Sequence, residues 1–412
     1  MGEVANIPQL RFPEFDQPLL TDILLNLTDV LRCGIAATPK YVDSGITFLS
    51  SQNVTPTGKI LMDKCNFISE DYYKKISKNA KLLKGDILYS RVGARYGNAA
   101  IFPFEGDYGV YVSLTHIRAS QKLDNTFLKF LLNSPIGKTQ AKKGVFQGGG
   151  VPNLNVKVVE KFKINFPSKP EQQKIAAFLT AVDAKIEQLI KKKELLDEYK
   201  KGLMQQIFSQ VIRFKADDGC DFPDWKEKKL GDVGNFYRGH SYNSTNVKDS
   251  GLLVLRSSNI KNDSLILDND LQFVNKDCSD NVSLKTNDIV ICMANGSKRL
   301  VGKSGIYHGD YNGKLTVGAF CSIFRTDNLL SKYILQTVQY RKYLHILLAG
   351  TNINNLKNSE LSELTFNLPV SSFEQAKIAN FLSSIDNKIE QVGKQLDESK
   401  QFKKALLQQM FV

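Results

Sequence analysis

Cysteine and histidine are sparse and scattered. Cys33, Cys65, Cys220, Cys278, Cys292 and Cys321 include no CxxC pair, and His116, His240, His308 and His345 each stand alone. Neither a disulfide framework nor a zinc site has the spacing it needs, so the thiols read as reduced structural groups. No run of about 18 apolar residues occurs, which excludes a membrane-spanning helix. The stretch 1–10 lacks a basic segment leading into an apolar one, so a secretory signal is not expected and a cytoplasmic location is. The 12 prolines include no adjacent pair. The Asn/Asp-Pro-Pro-aromatic tetrapeptide with which amino-methyltransferases grip a target base is therefore missing. Gly302-Lys303-Ser304 imitates the end of a phosphate-binding loop, but the position five residues before Gly302 holds Ser297, and Gly296 misses by one; a Gly-rich turn is the better reading. Pro223-Asp224 with Glu227 and Lys229 is too tightly spaced for a nuclease carboxylate cluster. No Ser/His/Asp or Cys/His arrangement can be read from sequence proximity.

What is present is a chain of 412 residues, 42% apolar and 24% charged, which suits roughly two to four folded domains and excludes a disordered tail. Lys and Arg total 55 against 42 for Asp and Glu, a formal charge of +13. That excess favours a polyanionic partner, nucleic acid first.

The chain is written twice. Glu171 to Phe208 matches Glu374 to Phe411 at a constant offset of 203 residues, with 19 of 38 positions identical, the mark of a duplication. Upstream the echo is fainter but ordered. Phe12-Pro13-Glu14 recurs as Phe222-Pro223-Asp224, Gln52-Asn53-Val54 as Ser258-Asn259-Ile260, Gly85-Asp86-Ile87-Leu88 as Asn287-Asp288-Ile289-Val290, and Asn153-Leu154 as Asn355-Leu356. A well-matched module and a drifting one suggest two jobs, a common scaffold and a divergent reader.

The matched module reads as a long helix with a heptad seam. Ile175, Leu179, Val182, Ile186 and Leu189 line it in the first copy, and Ile378, Leu382, Ile385, Ile389 and Val392 in the second. Lys193 and Lys200 interrupt the first seam, Ser399 and Lys403 the second. At about 1.5 Å per residue such a helix reaches roughly 57 Å and needs a partner along its length. The cheapest partner is its own duplicate, paired parallel or antiparallel.

The variable modules, about 1–165 and 214–366, read as mixed α/β. Short apolar runs such as Asp86 to Tyr89, Gly109 to Val112, Leu252 to Leu255 and Asp288 to Ile291 read as strands. Leu123 to Asn133 and Leu330 to Leu348 read as helices. The formal charge is +7 over residues 1–165 and only +1 over 217–367, so a second DNA-binding module must rely on local charge.

Loops that combine Arg or Lys with Gly, Ser, Asn, Gln and Tyr are the candidates for DNA contact. Glycine lets backbone approach a phosphate, cations neutralise it, and Arg, Asn or Gln can read base edges. In the first module these are Gln52, Asn53, Ser90, Arg91, Arg95, Tyr96, Lys142, Lys143 and Gln147. In the second they are Arg256, Ser258, Asn259, Asn295, Lys298, Arg299, Arg341 and Lys342. Solvated turns share this composition.

Pro167 followed by Glu171-Gln172-x-Lys174-Ile175-Ala176-x-Phe178-Leu179-x-x-x-Asp183-x-Lys185-Ile186, repeated after Pro369 with one extra residue in the loop, resembles the specificity subunit of type I restriction-modification systems along essentially the whole chain. The resemblance implies an α+β fold in which two target recognition domains (1–165 and 214–366) alternate with helical spacers (166–213 and 367–412) that pair as an antiparallel intrachain coiled coil. It implies a non-catalytic subunit that reads an asymmetric, split site on double-stranded DNA. Two modification (methyltransferase) subunits would carry S-adenosylmethionine, and two restriction (motor-nuclease) subunits ATP and Mg; no cofactor or metal is expected on this chain. From the residues alone, a coiled-coil adaptor with two protein-binding heads is the alternative.

Overall fold

The computed structural model describes residues 7–77, 81–146, 150–349 and 354–412; Gln147 and the Gly350-Thr351-Asn352 stretch lie outside them. The chain forms two compact units, Met1–Lys191 with Gly393–Val412, and Lys192–Val392. Each contains one variable module and part of both long helices, Lys169–Phe208 and Ser372–Gln409.

In the first unit, strands Thr28–Cys33, Leu114–Ala119, Ile87–Ser90 and Ala99–Ile101 form an antiparallel sheet in that order. A three-stranded sheet centres on Ile46–Leu49, which runs parallel to Tyr108–Val110. A ribbon of Leu20–Ile23 against Lys163–Phe166 closes the module and feeds the first long helix. Helix Asn125–Asn133 starts where the Asp124 side chain accepts from Phe127 N. Ser134 both ends it and caps the next helix, Pro135–Gly144, with proline in the first turn, where its missing N–H costs nothing.

The second unit repeats the plan. Strands Asn235–Arg238, Cys321–Arg325, Ile289–Cys292 and Ser304–Ile306 run consecutively in a six-stranded sheet, and Leu252–Leu255 runs parallel to Leu315–Val317. The ribbon Lys226–Lys229 against Thr365–Leu368 precedes the second long helix. The single helix expected over 330–348 is two pieces, Ser331–Ile334 and Val338–Ala349. The break comes at Thr337, whose hydroxyl bonds Ile334 O and also accepts from Tyr340 N, a local alternative to the helical ladder.

The long helices pack antiparallel. In the first unit Ile175 and Leu179, near the start of the first helix, share a core with Leu406, Met410 and Phe411 at the end of the second. In the second unit Met204 and Ile207, near the end of the first helix, share a core with Ile378 and Leu382, near the start of the second. Ile175, Leu179, Leu189, Ile378, Leu382, Ile385 and Val392 are buried; Val182, Ile186 and Ile389 are half-buried. Late in the first helix burial passes from Leu203 to Met204, the drift expected when 3.6 residues per turn meet a seven-residue repeat.

Two of the three seam lysines, Lys200 and Lys403, are partners across the helices, while Lys193 pairs with Asp197 on its own helix. Lys403 Nζ lies 2.5 Å from Asp183 Oδ1 in the first unit, and Lys200 Nζ lies 2.7 Å from Asp386 Oδ1 in the second. Lysine and aspartate are each 203 residues from their counterparts, so the duplicated sequence makes the same pair reciprocally. Each aspartate also holds its module: Lys129 approaches Asp183 at 3.6 Å, and the Tyr333 hydroxyl donates to Asp386 at 3.0 Å.

The Glu-Gln pair of the repeated motif anchors each module a second time. Buried Glu171 accepts from Arg11 Nε and Nη2 at 2.7 and 2.8 Å. Glu374 accepts from Arg213 at 3.1–3.3 Å and from Trp225 Nε1 at 3.1 Å. Gln172 accepts from Asp124 N and donates to Lys122 O and Pro167 O, while Gln375 donates to Pro369 O and accepts from Asn328.

Leu189 is 3% exposed and Ile389 half-buried, so the two seam positions should respond unequally to an inserted carboxylate. Leu189→Asp is expected to cost about 3 kcal/mol or more and Ile389→Asp clearly less. Chemical denaturation of the two variants checks the order; equal and negligible losses would remove Leu189 from the packed seam.

Candidate nucleic-acid interface

Three segments meet in each unit. In the first, the turn Ser51–Asn53, the loop 90–97 and the strand beginning at Asn153 are tied together. Arg95 Nη1 donates to Gln52 O at 2.8 Å, Gly93 N to Pro152 O at 3.0 Å and Leu154 N to Arg91 O at 2.8 Å. The second unit assembles the matching segments. Asn295 Nδ2 donates to Ser257 Oγ at 3.3 Å, Asn354 Nδ2 to Gly296 O at 3.0 Å and Leu356 N to Met293 O at 2.8 Å. Loops far apart in sequence thus become one surface, and two backbone bonds recur: Gly93 N to Pro152 O is matched by Asn295 N to Asn354 O at 3.3 Å, and Leu154 N to Arg91 O by Leu356 N to Met293 O.

At the other end of each loop-bearing strand lies an aspartate that the sequence echo had singled out. Asp86 accepts from Leu83 N, from Arg118 Nε and Nη2 at 2.8 and 2.7 Å, and pairs with His116 Nε2 at 2.7 Å. Burial pushes its carboxyl up, but the His116 and Arg118 hydrogen bonds outweigh that and hold it at about 2. Asp288 accepts from Lys285 N and from Arg325 Nε and Nη2 at 2.9 and 2.7 Å. These carboxylates fix the ends of strands Ile87–Ser90 and Ile289–Cys292 opposite to those from which the loops spring.

The candidate side chains divide by what they touch. Asn53 accepts from Ser50 N and donates to Leu61 O and Lys64 O; Asn259 accepts from Arg256 N and donates to Asn269 O and Asp270 O. Both are 1% exposed and hold their turns from inside. Arg91, 8% exposed, donates to Leu154 O, Val112 O and Asn153 Oδ1, so all its directions point inward. Ser90 is buried and Tyr96 packs partly against the core. Arg256 is paired with Asp270, and Asn295, half-buried, also accepts from Ser297 N.

Others face solvent. Gln52 and Arg95 sit at the tip of the first cluster, with Lys142 and Lys143 exposed on the last turn of helix Pro135–Gly144; Ser258 is exposed in the second. Lys298, Arg299 and Arg341 line one cleft of about 680 Å³ floored by Val301, Leu344 and Leu348. His345 joins them there. As an isolated histidine it carried no signal except its position one turn after Arg341. Lys342 points elsewhere, into a cleft of about 660 Å³ shared with Asp197, Met204, Phe208 and Asp263. The Gly302 turn has its Lys303 ammonium on Ile260 O, which makes it part of the sheet edge.

Among the described residues no group of His, Cys, Asp or Glu could hold a metal ion, and no helix is long and apolar enough to cross a membrane. All six cysteines are free thiols, and burial pushes that of Cys321 up to about 12, far from the reactive thiolate range.

The sequence model of the type I restriction modification DNA specificity domain matches residues 40–197 and 223–399, one match on each copy. The chain belongs to this family. Among similar specificity subunits, that of the type I restriction enzyme MjaVIII from Methanocaldococcus jannaschii is 26% identical over 360 residues, 82% of this chain and 81% of that one. That of EcoKI from Escherichia coli is 30% identical over 185 residues, 43% of this chain and 38% of its own length. The S subunit from M. genitalium shares the fold, with a TM-score of 0.61 at 16% identity over 98% of this chain and 99% of that one. The two modules are therefore the target recognition domains of a DNA specificity subunit, and the loop clusters are its candidate reading surfaces.

Arg91 and Arg95, four residues apart, should separate structure from contact in this specificity subunit. Arg91→Ala strands the buried Leu154 O and removes two part-buried bonds, to Val112 O and Asn153 Oδ1, and is expected to cost about 2 kcal/mol of stability. Arg95→Ala should leave stability within about 0.5 kcal/mol and weaken DNA binding, by about 1–3 kcal/mol if it reads a base. Thermal melts and duplex titration of both variants decide it; equal melting losses would contradict the division.

Proposed function

We propose that this specificity subunit reads a split, asymmetric target on double-stranded DNA, one half through each loop cluster. The observation that carries the reading is the recurrence of one backbone assembly with different side chains at its tips. The first cluster presents Gln52, Arg95, Lys142 and Lys143, and the second Ser258 with the cleft of Lys298, Arg299 and Arg341. Asn53, Asn259, Arg91, Ser90, Arg256, Asn295 and Tyr96 support the tips. Gln147 and Lys342 remain candidates by composition. The second module's net charge of only +1 over 217–367 is consistent with cations gathered in one cleft.

In this reading the recognition domains span 1–165 and 214–366, and the helical spacers 166–213 and 367–412 keep the half-site centres about one turn, roughly 10 bp, apart. The chain performs no chemistry itself. It assembles with two modification subunits, which supply S-adenosylmethionine and methylate adenine, and with two restriction subunits, which supply ATP, Mg and the motor and nuclease steps. The location is the cytoplasm.

The test is domain exchange. Cells carrying this chain and its modification subunit are mapped for methylated adenine before and after residues 1–165 are replaced by another recognition domain. One half of the methylated sequence should change and the other stay. A change in both halves, or a continuous target, would refute one half-site per module.

A further inference from the structure

Each reading loop ends on a glycine in left-handed conformation, Gly97 at φ +79° and Gly302 at φ +76°. Gly97 N donates to Ser90 O and Gly302 N to Cys292 O, both at 2.7 Å. A Cβ would meet Ala141 at 3.2 Å in the first and Leu344 at 2.1 Å in the second, so backbone and neighbouring helix fix the same closure twice. The glycine carbonyl then accepts from a side chain of that helix, and here the copies differ. Lys138 Nζ donates to Gly97 O, whereas the Tyr340 hydroxyl donates to Gly302 O at 3.2 Å.

Lys138 does more than its counterpart. Its ammonium also donates to Asn98 Oδ1 at 2.6 Å and Asn133 Oδ1 at 3.4 Å, and Asn98 Nδ2 donates to Arg95 O at 2.8 Å. One amide therefore links the ammonium to the exposed tip residue. All three N–H groups have acceptors, and a neutral amine, with two, must release one. We propose that Lys138 is the positioning residue of the first reading loop and that its protonation controls reading of the first half-site, while the second loop, held by the Tyr340 hydroxyl, lacks this control.

No carboxylate pairs with Lys138 among the described residues. The titratable groups around it are Tyr89, whose hydroxyl also borders Gly97, Tyr96 on the loop, Lys129 on the preceding helix, which belongs to Asp183, and Lys142 one turn on. Burial lowers Lys138 to about 8. The charged form is therefore complete well below that value and lost as pH rises through it. DNA phosphate near the loop favours the charged form, so binding takes up a proton. Stability moves the other way: the unfolded lysine holds its proton to higher pH, and this group makes the fold more stable, not less, across the interval. Lost reading on the alkaline side is thus separable from unfolding.

The inference rests on the first module contacting DNA. The probe is a fluorescent duplex carrying the methylation-mapped target, with versions in which either half-site is scrambled. From about pH 7.5 to about pH 9, affinity due to the first half should fall roughly eightfold as the competent fraction shrinks; that due to the second should hold. Lys138→Met should lower first-half discrimination and abolish its pH dependence, and Lys138→Arg should restore discrimination without the alkaline loss. The wild-type profile decides the matter even if a variant folds poorly. Intact duplex binding with a flat first-half profile would overturn the role of Lys138, whereas no binding to any duplex would overturn DNA reading itself.

Discussion

Asp183 and Asp386 sit where three pieces of chain must meet. Each accepts a lysine from the opposite long helix, Lys403 or Lys200, and each receives a group from its own module, Lys129 or Tyr333. A half-buried carboxylate on an otherwise apolar seam is costly unless paired, and only an antiparallel match supplies the pairing lysine at both places. Apolar contacts stabilise the helix pair but tolerate sliding; the charged pairs select direction and register, the best-attested use of polar groups in such seams. Because the aspartate also binds the module, register and module placement are set by one side chain in each unit.

The motif that follows each proline adds a second tether. Glu171 and Glu374 each bind an arginine from the segment leading into their module, Arg11 or Arg213, and Gln172 and Gln375 bind backbone or side chain near the module's helices. These contacts lie away from the reading tips. Tip residues can therefore vary while the attachment stays, and the chain shows this: the helices match at half their positions while the first module carries Arg95 and Lys142 and the second Lys298, Arg299 and Arg341. A DNA specificity subunit requires such a separation, since a change of target must not disturb assembly.

Much of this was legible in the sequence because a duplication announces itself and a heptad seam has a period. The faint echoes Gly85-Asp86 and Asn287-Asp288 marked the carboxylates that brace the sheets, and the resemblance implied the antiparallel pairing. The meaning of Lys200 and Lys403 was hidden: each looks like a flaw in its seam until the partner, far away in sequence, is in place. Asn53, Asn259 and Arg91 have the right chemistry for DNA but turn inward, since a tight turn must satisfy its own carbonyls and amides first. Composition cannot distinguish such a residue from Arg95, and it could not find His345, whose neighbours come from a loop about 45 residues earlier. The split of the helix expected over 330–348 followed from one hydroxyl at Thr337.

The pairing of the long helices is the claim on which the rest stands, and charge reversal measures it directly. Asp183→Lys should lower the thermal stability of the chain, since it sets a lysine against Lys403 and Lys129. Adding Lys403→Asp should recover most of the loss, with a coupling of about 1 kcal/mol for a partly exposed pair. Adding Lys200→Asp in its place should recover none. Recovery with Lys200→Asp, or none with Lys403→Asp, would contradict the antiparallel register.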